Sequence, residues 1–111
     1  MEKFTIGSIV LVAFPFSNLK GKKIRPALVL ANVEFNNLIL CQITSKPYSS
    51  KSAIQITAED FAEGSLPVIS YIRPDKLFTA DTSIIESTAG KLTINTKNAI
   101  LQKVQKLFTF V

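Results

Sequence analysis

Short apolar runs rich in β-branched residues constrain the fold of this chain more than any other feature of its sequence. Ile9–Phe16 is apolar at every position, which is typical of a strand buried on both faces. Ala27–Ala31, which follows Ile24-Arg25-Pro26, and Leu38–Thr44 continue this pattern. These three segments predict the buried strands of a β-sheet.

Three later segments predict shorter or more exposed strands. Ala53–Thr57 alternates between apolar and polar residues, so one face of this strand is expected to be buried. Val68–Ile72 is a further apolar run that ends at Arg73-Pro74, and Ser83–Glu86 is a candidate for a short strand. The chain therefore contains five or six predicted strands.

Turn-forming residues separate these strands. Asn36-Asn37 predicts a two-residue hairpin turn between the second and third strands. Ser17–Lys23 and Pro47–Lys51 predict exposed loops, of which the first is basic. Glu59–Gly64 predicts a single helical turn closed by its glycine.

One helix is predicted at the C-terminal end of the sequence. Apolar residues recur there at helical spacing, at Ile100, Val104, Leu107 and Phe108, and Asn95 is expected to cap the helix. A length of 111 residues fits one domain, spanning 1–111. Several short strands followed by a single helix predict a mainly β (α+β) fold, either a small barrel or a sandwich.

The chain is basic, with 13 Lys and Arg residues against 8 Asp and Glu residues, a formal net charge of +5 and a pI of about 9.5. A basic surface raises the local concentration of polyanions, which makes nucleic acid, an acidic protein segment and an anionic membrane all eligible partners. Charge alone does not choose among them, and many small basic proteins bind nothing anionic.

Cysteine usage and the lack of targeting signals indicate the compartment. Cys41 is the single cysteine, so no intramolecular disulfide can form, and it is expected to fill space in the core. The N-terminal residues lack the apolar stretch of a signal peptide, and no apolar run approaches the ~20 residues of a membrane helix. We therefore expect a soluble, cytoplasmic protein with no membrane contact.

The absence of histidine excludes several kinds of site. It removes the commonest general base, the Ser-His-Asp and Cys-His arrangements, and every zinc site that contains histidine. Pro74-Asp75 begins like a metal-dependent nuclease motif, but Glu86 is followed by Ser87-Thr88 and not by the required lysine. With one cysteine and scattered acidic residues, we expect neither a metal nor a cofactor.

If the chain is an enzyme, arginine, lysine, hydroxyls and backbone groups must do the chemistry. Cleavage of RNA by transesterification suits this set, because the substrate supplies its own nucleophile, the 2′-hydroxyl. The protein then has to stabilise charge on the phosphoryl oxygens, and the arginine fork matches those oxygens bidentately. DNA lacks the 2′-hydroxyl and is expected to resist such an enzyme.

Four segments of the sequence resemble the characteristic segments of MazF/PemK toxins. They are Gly7–Val12, Ile24–Leu30, Leu40–Ser45 and Leu66–Leu77, and the terminal amphipathic helix lies where the family has one. The resemblance covers nearly the whole chain and implies an SH3-like β-barrel. Ser8 departs from the pattern, since the family usually has aspartate there.

The resemblance also implies a function and its residues. Arg25 of the Arg-Pro strand and Thr44 of the Ile-Thr strand correspond to the family's catalytic pair, and Arg73 corresponds to a second basic residue near the RNA groove. The implied reaction is metal-independent cleavage of RNA that leaves a 2′,3′-cyclic phosphate and a 5′-hydroxyl. The implied partners are single-stranded RNA, a second copy in a homodimer, and a cognate antitoxin whose acidic flexible tail covers the RNA site. Contact with operator DNA would occur only through the antitoxin.

Each candidate site residue also has a structural interpretation. Arg25 suits a surface position at a strand start, Thr44 is a good β-former, and Arg73 suits an ion pair with Asp75. Ser45 is a neighbour whose hydroxyl assists in the catalytic interpretation.

Loop lysines and three aromatic residues are less specific candidates for contacts with RNA. The lysines, which suit either phosphate contacts or a solvated loop, are Lys20, Lys22 and Lys23. The aromatic residues, which suit base stacking or, more commonly, core or dimer packing, are Phe14, Phe16 and Phe35. Two other functions compete with the ribonuclease: a gyrase-poisoning toxin of the same fold, and a non-catalytic nucleic-acid-binding barrel.

Overall fold

The computed structural model of the chain describes residues 4–15, 22–47 and 51–109. Within them the strands are β1 (Ser8–Pro15), β2 (Lys22–Val33), β3 (Asn37–Thr44), β4 (Ile54–Ile56), β5 (Phe61–Gly64), β6 (Ser70–Asp81) and β7 (Ile85–Leu92). Two 3₁₀ turns, Ala58–Asp60 and Thr82–Ile84, precede β5 and β7, and the helix α1 (Ile94–Lys106) follows the last strand.

All the described strands belong to a single antiparallel sheet in the order β4-β6-β3-β2-β1-β7-β5. The sheet curls into a half-barrel, which confirms the predicted mainly β (α+β) fold. Of the two predicted alternatives, a small barrel and a sandwich, the structure has the barrel. Residues 4–15, 22–47 and 51–109 contain seven strands, where five or six were predicted for the chain. No helix in the described part of the chain is long and apolar enough to cross a membrane.

One face of the sheet, which we call the helix face, is covered by α1. The helix contributes the fully buried Ile100, with Leu101 and Val104 packed beside it. Its partners on the sheet are the buried residues Ile9, Leu28, Leu30, Cys41, Ile43, Ile56, Ile72 and Leu92. The periodic apolar positions of the helix were therefore predicted correctly at Ile100 and Val104, whereas Leu107 and Phe108 remain exposed.

The other face, which we call the opposite face, carries a second apolar core. It consists of Val10, Val12, Ala27, Val29, Leu38, Leu40 and Ala80. Successive residues of a strand point to opposite sides of the sheet, so Ile9 fills one core while Val10 fills the other. Burial on both faces explains why these strands are apolar at almost every position.

The hairpin between β2 and β3 turns one residue earlier than predicted. Phe35 and Asn36 occupy its centre with φ of 61° and 60°, the positive values that a type I′ turn requires. The amide of Asn37 donates to the carbonyl oxygen of Glu34 over 3.3 Å. Phe35 is 84% exposed, so it does not pack in the core of this chain.

The second Arg-Pro dipeptide lies inside a strand and does not end it. β6 continues through Arg73 and Pro74 to Asp81. The sheet accommodates the proline because the ladder with β3 shifts there, pairing Gln42 with Arg73 but Cys41 with Leu77. Because Pro74 lies in this bulge, no ladder partner needs the N–H that proline lacks. Bulges are among the positions where a sheet tolerates proline.

Two local predictions in the second half of the chain were wrong. Glu59–Gly64 does not form one helical turn closed by glycine: a 3₁₀ turn ends at Asp60 and β5 follows. Gly64, with φ of 68°, is instead required because a Cβ there would lie 2.1 Å from the carbonyl oxygen of Ala89. The cap of α1 is Thr93 and not Asn95, since the Thr93 hydroxyl accepts from the amide of Thr96 over 3.2 Å.

Two further strands begin at residues other than those predicted. β7 begins at Ile85, because the first residues of the predicted strand Ser83–Glu86 complete a 3₁₀ turn. β2 begins at Lys22, so the predicted loop Ser17–Lys23 contributes its last two residues to a strand. The rest of that loop, with Lys20, lies outside the described residues, as do Phe16 and residues 48–50.

Candidate functional site

At one end of the opposite face, the apolar core gives way to polar side chains. On β2 the buried Ala27 belongs to this core, and the alternation of side chains therefore places Arg25 on the same face. On β3 the buried Leu40 is followed on that face by Gln42 and Thr44. The start of β2 and the end of β3 thus place polar groups side by side beyond the core.

The strand register brings Arg25 and Thr44 together. The β2–β3 ladder pairs Ala27 with Gln42, and the same register continued by two residues places Arg25 opposite Thr44. Side chains directly opposite each other in an antiparallel pair have Cβ atoms about 4.5–5.5 Å apart. Two residues that are far apart in sequence are therefore neighbours on one surface.

Strand β6 extends this surface on the far side of β3. Its ladder pairs Gln42 with Arg73 and Thr44 with Tyr71. The polar patch, as we call it, consists of Arg25, Gln42, Thr44, Tyr71 and Arg73.

Arg25 is the basic group of the patch that is available to an anion. Its side chain is half-buried, and no group in the described part of the chain forms an ion pair or hydrogen bond with its guanidinium. A guanidinium presents several donors in a planar fork that matches phosphate or carboxylate oxygens. The position therefore suits the recognition of an anionic group.

The hydroxyl of Thr44 is oriented by the chain that follows it. Its Oγ1 accepts a hydrogen bond of 3.2 Å from the amide of Lys46, which leaves its own proton to be donated elsewhere. Thr44 is half-buried, whereas Ser45, beyond the end of β3, is exposed. A ligand next to Arg25 would meet the Thr44 hydroxyl as a hydrogen-bond donor.

Arg73 is engaged by an acidic neighbour. Its Nη2 lies 2.8 Å from Oδ2 of Asp75 and its Nε donates to Oδ1 over 3.3 Å. The hydrogen bond from Arg73 is the main cause that holds the pKa of Asp75 below its usual 3.8. The structural interpretation of Arg73, an ion pair with Asp75, is thus present, and Arg73 contributes less positive potential to the patch than Arg25 does.

Two clefts meet at Arg25. The β3–β6 cleft, of about 590 Å³, is lined by Arg25, Gln42, Asp75, Lys76, Leu77 and Phe78. The mouth cleft, of about 530 Å³, has an apolar part of its lining that includes Leu11, Ile43, Leu66 and Val68. Its rim is basic and hydroxylic, with Lys23, Arg25, Thr44, Ser45 and Lys46.

The predicted loop lysines are only partly placed by the structure. Lys23 is exposed near the start of β2 and borders the mouth cleft. The backbone of Lys22 pairs with Pro15 in the β1–β2 ladder. Lys20 lies outside the described residues. Lys46, which was not singled out in the sequence, joins Lys23 at the rim.

Metal-binding groups are sparse in this region. Across residues 4–15, 22–47 and 51–109, no three Cys, Asp or Glu side chains are grouped so that they could hold a metal ion. Cys41 lies in the helix-face core, where burial raises the pKa of its thiol to about 12.

Sequence reasoning missed Gln42 and Tyr71. The alternation of side chains along β6 places Tyr71 on the same face as Arg73, so its side of the sheet was predictable. Its position opposite Thr44 was not, because that depends on the register of two strands joined by a long connection.

A family model described as PemK-like, MazF-like toxin of type II toxin–antitoxin system matches residues 5–108. No curated protein matches the chain in sequence.

Solved structures share the fold at low sequence identity. A MazE–MazF complex from Deinococcus radiodurans superposes with a TM-score of 0.76 and 19% identity over 96% of each chain. An endoribonuclease in complex with its cognate antitoxin, from a mycobacterial species, gives a TM-score of 0.72 and 14% identity over 96% of this chain and 93% of the other. The Mycobacterium tuberculosis toxin MazF-mt6 superposes with a TM-score of 0.66 and 17% identity, over 89% of this chain and 95% of the other.

Proposed function

Because the chain belongs to the PemK-like, MazF-like toxin family of type II toxin–antitoxin systems, we propose that it is a toxin that cleaves single-stranded RNA without a metal ion. The observation that supports this most directly is the adjacency of Arg25 and Thr44 on neighbouring strands. Arg25 has no counter-ion in the described residues, and the Thr44 hydroxyl has a proton to donate. Mycobacterial proteins of the same fold are endoribonucleases.

The proposed reaction is a transesterification within the RNA. The 2′-oxygen forms a bond to the adjacent phosphorus and loses its proton, while the bond from phosphorus to the 5′-oxygen breaks and that oxygen gains a proton. The products are a 2′,3′-cyclic phosphate and a 5′-hydroxyl. Arg25 stabilises the negative charge that grows on the phosphoryl oxygens, and Thr44 donates a hydrogen bond to the same group.

Basic and hydroxylic groups around the pair hold the RNA backbone. We assign this role to Lys20, Lys22, Lys23, Ser45 and Arg73. Lysine contacts to phosphates add affinity without reading sequence, and they weaken as salt rises because bound counterions are released. The ion pair with Asp75 reduces the positive charge that Arg73 can offer to a phosphate.

The antitoxin is proposed to cover the same surface. An acidic flexible tail would contact the basic residues that line the mouth cleft, and its apolar residues would contact the apolar lining that includes Leu11, Ile43, Leu66 and Val68. Such a tail gives up conformational entropy when it binds, so it must bury a large surface to bind tightly. RNA and antitoxin would then exclude each other, and operator DNA would be reached only through the antitoxin.

We further propose that the toxin acts as a homodimer in the cytoplasm. Light scattering coupled to size exclusion tests the first point, and a monomer at micromolar concentration contradicts it. Competition between RNA and an antitoxin tail peptide tests the shared site, and simultaneous binding of both ligands contradicts it.

Incubation of the purified protein with RNA in excess chelator tests the central proposal. We expect cleavage at an unchanged rate in chelator, and end-group analysis should find a 2′,3′-cyclic phosphate and a 5′-hydroxyl. A matched oligonucleotide with one deoxynucleotide at the cleavage position should resist cleavage there. Activity that disappears in chelator and returns with magnesium contradicts the mechanism, while RNA binding without cleavage indicates a non-catalytic nucleic-acid-binding barrel. If neither binding nor cleavage occurs, inhibition of gyrase becomes the function to measure.

A further inference from the structure

We propose that Tyr71 is a third member of the phosphate site, whose hydroxyl donates a hydrogen bond to a phosphoryl oxygen held between Tyr71 and Arg25. This inference rests on the proposed RNA substrate and adds a residue to its site. It follows from the strand register, the lengths of three side chains and the surroundings of the Tyr71 ring.

The register places Arg25, Thr44 and Tyr71 in one row across three adjacent strands. Thr44 is paired directly with Tyr71. On the other side, the β2–β3 ladder ends at the Ala27–Gln42 pair, and the same register continued by two residues brings Arg25 opposite Thr44, with which it lines one cleft. Neighbouring strands are about 4.7–4.9 Å apart, so the Cα atoms of Arg25 and Tyr71 are separated by roughly 10 Å. Two long side chains thus flank a short one, so an oxygen held between Arg25 and Tyr71 would lie above Thr44.

The surroundings of Tyr71 argue against a purely structural role. Its ring is half-buried but belongs to neither apolar core. In the described residues, no group forms a hydrogen bond with its hydroxyl. A phenolic hydroxyl on the face that carries Arg25 is therefore positioned as a donor to a ligand or to water.

Charge locates the anion within the polar patch. Arg73, the next residue of β6 on the same face, is neutralised by Asp75 at 2.8 Å. Arg25 has no such partner in the described part of the chain. An anionic oxygen is therefore drawn to the side of the patch where Arg25, Thr44 and Tyr71 lie.

The test compares Tyr71→Phe with the wild type, because this substitution removes the hydroxyl and keeps the ring. Binding is measured with a 2′-O-methyl oligonucleotide, which cannot be cleaved by transesterification, and the rate is measured with the corresponding RNA. Because hydrogen bonds to charged groups are among the stronger ones, Tyr71→Phe should lower kcat/KM by roughly ten- to a hundredfold. The same substitution should weaken binding of the 2′-O-methyl oligonucleotide. Thr79→Val, which removes an exposed hydroxyl elsewhere on β6, is the matched control and should change neither value by more than about twofold.

Each alternative outcome has a distinct meaning. If Tyr71→Phe equals the wild type while Tyr71→Ala is impaired, the ring stacks on a base and the hydroxyl contact is refuted. If the wild type binds the 2′-O-methyl oligonucleotide but cleaves no RNA, the proposed enzyme activity is wrong, and the Tyr71→Phe binding constant alone decides the contact. If the wild type binds no oligonucleotide, both proposals fail.

Discussion

Replacement of Arg25 by alanine separates the chemistry of the site from the stability of the fold. In the described residues the guanidinium has no ion pair or hydrogen bond, so its removal leaves none of those residues without a partner. The side chain is half-buried at the start of β2, and the strand is held by its ladders with β1 and β3. We therefore expect the free energy of unfolding to change by only about 0.5 kcal/mol.

The expected effect on cleavage is much larger. Loss of one donor to developing charge costs on the order of 10²–10³ in kcat, which corresponds to about 2.7–4 kcal/mol of transition-state stabilisation. No histidine exists in the chain to take over, and the neighbouring Arg73 is paired with Asp75. Arg25→Lys should recover only part of the rate, because an ammonium keeps the charge but loses the bidentate fork.

The assay is single-turnover cleavage of a short RNA, with chemical denaturation of the same protein samples. Arg73→Ala is the matched control, and its effect on the rate should be smaller than that of Arg25→Ala. Near wild-type turnover in folded Arg25→Ala would refute the assignment of the site. A loss of several kcal/mol of stability in the same variant would instead contradict the small structural role that we infer for Arg25 from its contacts with the described residues.

Three further predictions concern stability and reactivity. Cys41, whose thiol pKa is raised to about 12 by burial, should resist a thiol reagent in the native protein and react once denaturant is added; rapid native labelling would contradict this. Gly64→Ala should lower the free energy of unfolding by roughly 2–5 kcal/mol, because its φ of 68° and the carbonyl of Ala89 both oppose a Cβ, and an unchanged denaturation midpoint would refute the reasoning. Asp75→Asn should be less stable than wild type at pH 7. The ion pair with Arg73 lowers the pKa of Asp75, so its stabilisation is present above the usual pKa of 3.8 and is lost as the pH falls below that value. The difference in melting temperature between the two proteins should therefore close on acidification.

Local pattern predicted most of the elements but few of their ends. β1 and β3 lie where their apolar runs predicted them, because a strand buried on two faces needs apolar residues at nearly every position. The stop expected at Arg73-Pro74 was wrong, since a bulge accommodates a proline that a regular central ladder would exclude. The helix cap moved from Asn95 to Thr93 because either side chain can cap, and the tertiary position of the first turn decides between them.

The amino-acid sequence by itself determined the β-rich composition of the fold, the single terminal helix, and a chemistry without histidine that must rely on arginine and hydroxyl groups. Those are properties of residue type and short-range period, which a single strand or helix expresses locally. The tertiary structure alone decided that Thr44 lies between Arg25 and Tyr71, and that Arg73 is paired with Asp75 whereas none of the described residues pairs with Arg25. These facts depend on the register of strands that are distant in sequence, and register is set by how the whole sheet buries its two apolar cores.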